Sequence, residues 1–323
     1  MKNVRLGIVG TNFVSDWMSE SVSATDGIEC TAVYSRTQER GETFASAHGI
    51  PNVFTDYESF LSSDIDAVYI ASPNSVHFSQ AEKAIAHGRH VLCEKPAVTD
   101  ERGFVSLSEA AKKKGVVLLE AMRPAHDPAI MAVRTSLGRI GKIRRAVLEF
   151  CQYSSRYDRF KAGEIMNAFD PKLGNAAVMD IGVYAIETAV ILFGEPESVR
   201  AKSVMLRNGM EGMGTAVFGY DGFHVEIVYS KIHDSVTPSC ICGEDGAITI
   251  GKISTGEDVK IKLRGKEAEA LCAKPDGNNM VYEVADFVAA INGTLDVSIY
   301  TEYTRKTLGI IDEIRRQSGI EFR

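Results

Sequence analysis

Apolar and polar positions alternate in two different ways along this chain. In the first 120 residues, short apolar runs rich in β-branched residues are separated by stretches with the spacing of amphipathic helices. The predicted strands are 4–9, 28–34, 66–71, 90–93 and 116–119, and the predicted helices are 13–24, 37–48, 77–87 and 100–114. Strands that alternate with helices of this length indicate right-handed βαβ crossovers and a parallel sheet.

After residue 140 the pattern becomes one of consecutive strands. Apolar runs that resemble hairpin-linked strands lie at 142–151, 197–206, 213–220, 223–230, 236–242, 246–251 and 258–264. A long apolar helix at about 177–193 interrupts them, and helices near 280–292 and 301–318 close the chain. We therefore expect an α/β Rossmann domain with helices on both faces of its sheet over 1–120. An α+β domain with a mostly antiparallel sheet is expected over 121–323, with a C-terminal helix able to pack back on the first domain.

Composition and charge narrow the classes of function. The 323 residues are 45% hydrophobic and carry a formal net charge of −7, which is typical of a globular protein and unfavourable for a nucleic-acid partner. No apolar run reaches the roughly 18–20 residues of a membrane span, and the first residues lack the apolar core of a signal peptide. The six cysteines lack the spacing of zinc ligands, so we expect no metal site and reduced thiols in the cytoplasm.

The turn after the first predicted strand resembles a degenerate dinucleotide motif. In "LGIVGTNFVS" the three positions of the G-x-G-x-x-G/A scheme are Gly10, Asn12 and Ser15. Gly10 can make the tight turn, Asn12 belongs to the few residue types that tolerate positive φ, and Ser15 is small enough for close packing of helix on strand. With Thr11 and Phe13, Gly10 and Asn12 form the helix N-terminus expected to hold a pyrophosphate. The alternative is a turn that only connects strand to helix.

The end of the second predicted strand bears on the choice of cofactor. NAD-binding Rossmann domains place Asp or Glu there to accept a hydrogen bond from the ribose 2′-hydroxyl, but no acid occurs at 33–38. Ser35 and Arg36 stand at that place, and Arg40 follows one helical turn later. A guanidinium pairs with a 2′-phosphate that a carboxylate would repel, so the sequence favours NADP(H) over NAD(H). The alternative is that Arg36 is only solvated.

Polar residues also follow two later strands. Ligands of open α/β sheets bind beyond the carboxyl ends of the strands, so these residues are expected to line one edge. The candidates are Ser72, Pro73, Asn74, His77, Glu94 and Lys95. Asn74 and His77 are candidate cofactor contacts, with a structural hydrogen bond as the alternative for His77. Lys95 is expected where nicotinamide and substrate meet, and a structural Glu94–Lys95 pair is the alternative.

A second constellation lies in the predicted helix 177–193. Asp180 and Tyr184 are four residues apart and therefore share a face of this helix. The helix is apolar nearly all round, which is typical of a buried helix. Because a buried carboxylate is costly unless it is paired, Lys95 is the natural candidate partner of Asp180. The alternative is a structural ion pair between the two domains.

The stretch "SPNSVHFSQAEKAIAHGRHVLCEKP" resembles the central signature of the Gfo/Idh/MocA oxidoreductases, in which a Pro-Asn…His segment and a helix precede Glu-Lys-Pro. The resemblance extends over nearly the whole chain through "EAMRPAHDPA", "MDIGVYAIE" and "MVYEVADFVAAINGT". It implies a Rossmann domain followed by an open-faced, mostly antiparallel sheet, and a homodimer or homotetramer formed through that exposed face. One departure is the single glycine before the apolar helix, Gly174, where the family often has two or three.

The resemblance also implies roles for the candidate residues. Tyr184 stands where the family has its catalytic acid or base. A tyrosine there, together with Ser35 and Arg36, resembles the NADP-linked branch that includes dimeric dihydrodiol dehydrogenase. Tyr184 would exchange a proton with the substrate oxygen, and Lys95 would favour the tyrosinate and stabilise a developing alkoxide. Asp180 would orient Lys95 or a substrate hydroxyl.

Three further residues are candidates on weaker grounds. Arg123 in "MRPAHDP" is expected to face the nicotinamide, and Arg156 or Tyr157 in "CQYSSRYDRF" is expected to contribute to the wall of the substrate site. The alternative for each of the three is plain surface or packing.

Together these features predict an NADP(H)-dependent dehydrogenase or reductase that acts on a sugar, a polyol or another small hydroxylated compound. Two alternatives share the fold. A glycosidase that oxidises and re-reduces tightly held NAD is disfavoured by Ser35 and Arg36. A non-catalytic NADP-sensing regulator would not need Lys95, Asp180 and Tyr184.

Overall fold

The computed structural model describes residues 3–272 and 277–322, which form two compact units. The first unit extends to Met122 and also contains Gly277–Glu302. The second begins at Arg123 and takes in the chain from Tyr303 onward. Within the described ranges, no helix is both long enough and apolar enough to cross a bilayer.

The first unit is built on a six-stranded parallel sheet with the strand order β3-β2-β1-β4-β5-β6. The strands are β1 Val4–Val9, β2 Ile28–Tyr34, β3 Asn52–Phe54, β4 Ala67–Ile70, β5 His90–Glu94 and β6 Leu118–Ala121. The helices are α1 Phe13–Ser23, α2 Gln38–His48, α3 Tyr57–Leu61, α4 Asn74–Ala86, α5 Glu101–Lys114 and, from the later part of the chain, α10 Met280–Ile291.

The central strands of this sheet are mostly apolar and buried because helices cover both of their faces. All four residues of β4 are buried, as are the last four residues of β1. The core on one side joins β1 and β4 to α1 and α10 through Leu6, Tyr69, Met18, Val284 and Phe287. Since all six strands run in the same direction, the loops that follow β1, β2, β4 and β5 lie along one edge of the sheet.

The second unit is built on an eight-stranded sheet with the order β14-β13-β12-β11-β7-β10-β9-β8. Its strands are β7 Ile143–Cys151, β8 Ser198–Met205, β9 Glu211–Tyr220, β10 Phe223–Ser230, β11 Ser239–Gly243, β12 Gly246–Ile250, β13 Lys260–Leu263 and β14 Glu269–Ala270. Its helices are α6 Arg123–His126, α7 Pro128–Ser136, α8 Tyr157–Lys161 and α9 Val183–Phe193, and α11 Ser298–Ser318 begins in the first unit and ends in the second. β7 and β10 are parallel, and the other neighbouring strands are antiparallel.

Side chains alternate between a covered and an exposed face of this sheet. The covered face buries Ala146, Leu148, Ala216, Phe218, Val225, Ile227 and Tyr229. Helix α9 packs against it, and every residue from Val183 to Leu192 is buried. On the other face, Val217 at the middle of β9 is 41% exposed. The alternation is typical of an antiparallel sheet that has helices on one side only.

The predicted fold class is confirmed, and the deviations from it are local. Strand β3 and helix α3 were not predicted, because three and five residues are too few to show a period. The pairing of β7 with β10 is parallel and not part of a hairpin, since apolar alternation carries no information about strand direction. The predicted helix 177–193 begins with a π-helical turn, Val178–Gly182, before α9 starts.

Candidate functional site

In the turn between β1 and α1, position 10 has room only for a glycine. Gly10 has φ +108°, a conformation that side chains rarely adopt. A Cβ atom there would lie 2.8 Å from the carbonyl oxygen of Ala71. The Gly10 amide donates to the carbonyl of Tyr34 at 3.0 Å, so the ends of β1, β2 and β4 meet around this residue. A ligand can therefore approach the backbone closely at this edge of the sheet.

Replacement of Gly10 by alanine is expected to lower the free energy of unfolding by about 3 kcal/mol, because backbone strain and the contact with Ala71 act together. Gly49→Ala is a matched control: Gly49 also has positive φ (+66°), but nothing lies within 4 Å of its Cβ position. The control is expected to cost about 1 kcal/mol. Urea unfolding followed by Trp17 fluorescence measures both, and equal losses would contradict the steric account.

Asn12 caps helix α1 and does not occupy the left-handed region. Its φ is −103°, so the expectation that tolerance of positive φ explains Asn12 is wrong. Its side-chain oxygen accepts hydrogen bonds from the amides of Val14 (2.8 Å) and Ser15 (3.3 Å), and its side-chain nitrogen donates to Ala71 at 2.7 Å. The preceding amides, those of Thr11 to Phe13, remain the candidate donors to a pyrophosphate.

The loop after β2 carries the predicted determinants of cofactor choice. Ser35 is buried, and its amide donates to the carbonyl of Phe54 at 3.0 Å, which fixes the end of the strand. Arg36 and Arg40 are both exposed, one just before α2 and the other in its first turn. No carboxylate lies between Val33 and Gln38, so the guanidinium of Arg36 is the charged group that directly follows the strand, as binding of a phosphate there requires; the first acid, Glu39, is in the first turn of α2.

His77 connects the loops that follow β4 and β5. The side chain is 1% exposed, and its two ring nitrogens lie 2.8 Å from the carbonyl oxygen of Ser72 and 2.9 Å from that of Pro96. Burial has the larger effect and lowers the pKa of the His77 imidazole below its usual value, although the hydrogen bonds to the two carbonyl groups act in the opposite direction. These contacts favour the structural alternative for His77, and a contact with the cofactor stays a prediction.

The remaining candidates of this loop lie at the start of α4. Ser72 donates through its hydroxyl to Gln80 at 2.5 Å, and Pro73 precedes the first helical residue, Asn74. All three follow β4 at the carboxyl edge of the sheet, where the sequence predicts the cofactor.

The loop after β5 is held by hydrogen bonds on both sides of Lys95. The hydroxyl of the buried Tyr69 donates to Glu94 at 2.5 Å, and the amide of Ala97 donates to the carboxylate of Glu120 at 2.7 Å. The carbonyl of Pro96 is held by His77. Glu94 therefore anchors the loop, and Lys95 follows it on a backbone that β4, α4 and β6 keep in place.

Tyr69 and Glu120 hold the loop around Lys95, and the sequence analysis did not single them out. Each is the polar member of an otherwise apolar buried strand, β4 and β6 respectively. A hydroxyl or carboxylate buried in a central strand needs a partner, and that rule was a signal that could have found both.

In the second unit, Asp180 and Tyr184 lie on the π-helical turn and the first turn of α9. Tyr184 is 8% exposed, and its ring packs edge-on against Phe150 of β7 with 5.5 Å between ring centroids. The phenol is thus carried by a ring whose position is fixed by packing. π-Helical turns inside α-helices often occur at functional sites.

Asp180 has a partner that the sequence did not identify. The Nζ atom of Lys231, just beyond β10, lies 2.6 Å from Asp180 Oδ2. The predicted pairing of Asp180 with Lys95 remains a prediction, whereas the ion pair with Lys231 is formed inside the second unit. A lysine that follows a strand is usually exposed, so nothing in the stretch "YSKIHDS" distinguished Lys231.

The other candidates of the second unit differ in exposure. Arg123 is partly buried at the start of α6, and Arg156 is exposed just before α8. Tyr157 stacks on Phe160 and Phe169, with centroid separations of 6.0 and 5.7 Å. The ring of Tyr157 therefore belongs to an aromatic cluster, which favours the packing alternative for that residue.

The edge of the first sheet fits a dinucleotide. The turn at Gly10 allows a ligand to approach the backbone closely. The amides of Thr11 to Phe13 are hydrogen-bond donors, and the exposed Arg36 supplies positive charge further along the same edge. Within residues 3–272 and 277–322, no group of three His, Cys, Asp or Glu side chains is arranged to hold a metal ion.

Comparison with known protein families gives two matches along the chain. Residues 4–122 match the Gfo/Idh/MocA oxidoreductase family, NAD-binding Rossmann fold, and residues 134–249 match a C-terminal domain of the same family.

Individual relatives align with most or nearly all of the chain. It is 41% identical over 322 residues to scyllo-inositol 2-dehydrogenase (NADP(+)) of Bacillus subtilis (strain 168), covering 99% of this chain and 98% of the relative. It is 29% identical over 271 residues to trans-1,2-dihydrobenzene-1,2-diol dehydrogenase of Xenopus laevis, covering 81% and 79%. A 3-ketoreductase from Actinomadura kijaniata, crystallised with TDP-benzene and NADP, shares the fold with a TM-score of 0.84 at 23% identity over 98% of both chains.

Proposed function

Because this chain belongs to the Gfo/Idh/MocA oxidoreductase family, we propose that it transfers a hydride between NADP(H) and the carbinol or carbonyl carbon of a sugar, a polyol or another small hydroxylated compound. The observation that carries the proposal is the position of Lys95. It stands on a loop fixed by Glu94, His77 and Glu120, at the same edge of the sheet as the Gly10 turn and Arg36.

The preference for NADP(H) is supported by the residues after β2 and by the relatives. Ser35 and Arg36 replace the acid that would accept a hydrogen bond from a ribose 2′-hydroxyl. The Bacillus subtilis relative is an NADP(+) enzyme by name, and it aligns with this chain over nearly its full length. A 2′-phosphate would be bound by the guanidinium of Arg36, with Arg40 one turn further along α2.

The residues of the chain supply proton transfer and charge stabilisation. The nicotinamide, when bound, supplies or takes up the hydride. Tyr184 would exchange a proton with the substrate oxygen. Phenols ionise near pH 10, so the positive charge of Lys95 beside it would favour the tyrosinate and stabilise negative charge on the oxygen. Asp180 would accept a hydrogen bond from a neighbouring substrate hydroxyl.

A screen of NADP⁺ reduction against sugars, cyclic and linear polyols, and dihydrodiols tests the proposed function. We expect turnover with at least one hydroxylated compound and tighter binding of NADPH than of NADH. The chain contains a single tryptophan, Trp17 on α1, which is 41% exposed and serves as the fluorescent probe of dinucleotide binding. NADPH binding without turnover of any compound would favour the sensor, and release of free sugar with retained NAD would favour the glycosidase.

Arg36→Asp is expected to weaken NADPH binding by about 10- to 100-fold, because a charge-assisted hydrogen bond to the phosphate is replaced by repulsion. Binding of NADH should change little. Arg102→Asp, at an exposed position of α5, makes the same change in net charge away from the site and is the matched control. An unchanged ratio of NADPH to NADH affinity in Arg36→Asp would move phosphate recognition to another residue.

A homodimer or homotetramer formed through the exposed face of the eight-stranded sheet is part of the proposal. The face carries Val217, and an ion pair between Arg145 and Glu226 (2.8 Å) lies on the neighbouring strands β7 and β10. A cytoplasmic location is supported by the six free thiols. Light scattering that gives the mass of a monomer at micromolar concentration would contradict the oligomer.

A further inference from the structure

Lys231 is a buried cation whose hydrogen bonds all lie inside the second unit. Its side chain is 2% exposed. The Nζ atom lies 2.6 Å from Asp180 Oδ2, donates to the carbonyl oxygen of Ala168 at 2.8 Å, and stands 5.1 Å from the centroid of the Phe169 ring. A buried ammonium group is tolerated when it is paired and hydrogen-bonded, and these three contacts meet that requirement.

The backbone of Lys231 is fixed as firmly as its side chain. Its amide donates to the carbonyl of Gly212 at 2.9 Å, and its carbonyl accepts from the amide of Ser154 at 3.0 Å. Lys231 therefore stands between the start of β9 and the segment that follows β7. The backbone from which the Lys231 side chain extends is therefore held on both sides.

Tyr229, two residues before Lys231, packs against the π-helical turn Val178–Gly182 that carries Asp180. The ring of Tyr229 lies so close to Gly182 that a Cβ there would come within 2.9 Å of it. The Tyr229 hydroxyl donates to Glu211 at 2.9 Å, and the other oxygen of Glu211 accepts from the amide of Val178 at 2.8 Å. The end of β10 therefore packs against the π-helical turn. Tyr229 and Glu211 fix the backbone of that turn, and Lys231 binds the carboxylate of Asp180.

Asp180 differs from Lys231 in its exposure. Its side chain is 39% exposed, while the lysine beneath it is almost completely buried. The buried ammonium group contacts one carboxylate oxygen, Oδ2, while more than a third of the Asp180 side chain is accessible to solvent. This arrangement suits a carboxylate that must present an oxygen to a ligand in one orientation.

We infer that Lys231 is a positioning residue that orients the Asp180 carboxylate toward a substrate hydroxyl. The inference rests on the proposed function, in which Asp180 accepts a hydrogen bond from the substrate. Lys231 itself touches no substrate. It acts through the Asp180 carboxylate, and the contact with Ala168 ties the turn at Asn167–Phe169 to the same ammonium group.

A double-mutant cycle with Lys231→Met and Asp180→Asn tests the inference. Methionine keeps an unbranched side chain of nearly the same length, one atom shorter, and removes the ammonium group. Each single variant is expected to lower kcat/KM by roughly 10- to 100-fold, since a misplaced polar contact can cost about 10²-fold. Because both substitutions remove the same contact, the double variant should lie within about threefold of the slower single variant. Lys172→Met, an exposed lysine on the segment before the π-helical turn, is the matched control and should be unchanged.

A second measurement separates positioning from general damage to the fold. NADPH affinity by Trp17 fluorescence should be unchanged in Lys231→Met, because Asp180, Ala168 and Phe169, which the ammonium group contacts, belong to the second unit, and the predicted dinucleotide site lies in the first. If Lys231→Met does not melt cooperatively, Lys231→Gln replaces it in the cycle. If the wild type is active and the loss of kcat/KM in the double variant equals the product of the two single losses, the role of Lys231 is overturned and the proposed function stays intact. A wild type without NADP(H)-dependent turnover would overturn both.

Discussion

Tyr184→Phe is expected to lower kcat by roughly 10²-fold or more while leaving the protein folded. The substitution removes the phenol that exchanges the proton with the substrate oxygen, and proton-transfer groups typically contribute 10²- to 10⁴-fold. It keeps the ring that packs edge-on against Phe150, so the core around α9 should be preserved. Steady-state kinetics with the substrate found in the screen, together with the melting temperature, measure the two effects separately.

Tyr220→Phe is the matched control for this variant. The hydroxyl of Tyr220 donates to the carbonyl of Gly194 at the end of α9, at 3.0 Å. Its loss should cost about 1 kcal/mol of stability, as for an ordinary hydrogen bond, and should leave kcat unchanged. Near-normal turnover in Tyr184→Phe would remove Tyr184 from the mechanism.

Lys95→Ala is expected to lower kcat by a similar factor, roughly 10²-fold or more. The lysine follows a strand whose end is fixed by Glu94 and Ala97, so the substitution removes the charge without freeing the loop. NADPH affinity should fall less than kcat, because the charge is needed most where negative charge develops on the substrate oxygen. Stopped-flow measurement of a single turnover reports the chemical step directly.

Lys83→Ala provides the comparison for Lys95. Lys83 lies on α4 of the same unit and forms an exposed ion pair with Glu58 at 2.8 Å. Exposed pairs contribute little to stability, so this variant should behave as wild type. A single-turnover rate in Lys95→Ala equal to that of Lys83→Ala would show that Lys95 is only a structural residue of the loop.

Much of the fold could be predicted because most helices and strands are long enough to show a clear pattern of apolar positions. The first 120 residues alternate between buried strands and helices, and Gly49 and Gly115 end α2 and α5 in the left-handed conformation. The turn at Asp221-Gly222 was visible from its composition and joins β9 to β10. The parallel pairing of β7 with β10 was not visible, because pairing between distant strands depends on the path of the chain between them.

The sequence predicted those candidate residues whose side chains or backbone directly follow a strand. It did not predict the residues that meet only through contacts between distant parts of the chain. Gly10, Arg36 and Lys95 all follow strands, and the order of a parallel sheet brings such residues to one edge. Lys231 is 51 residues from Asp180 in sequence and Glu120 is 23 residues from Ala97. Neither pairing leaves a local pattern, although the charge of Glu120 inside a buried strand is itself a signal.

The central claim is that Lys95 and Tyr184 act on one substrate oxygen beside the nicotinamide. A crystal structure with NADP⁺ and a polyol substrate tests it most directly. The account predicts Lys95 Nζ and Tyr184 Oη both at about 3 Å from the same substrate oxygen, with the carbon that bears it facing nicotinamide C4. A ternary complex in which either side chain points away from that oxygen would contradict it.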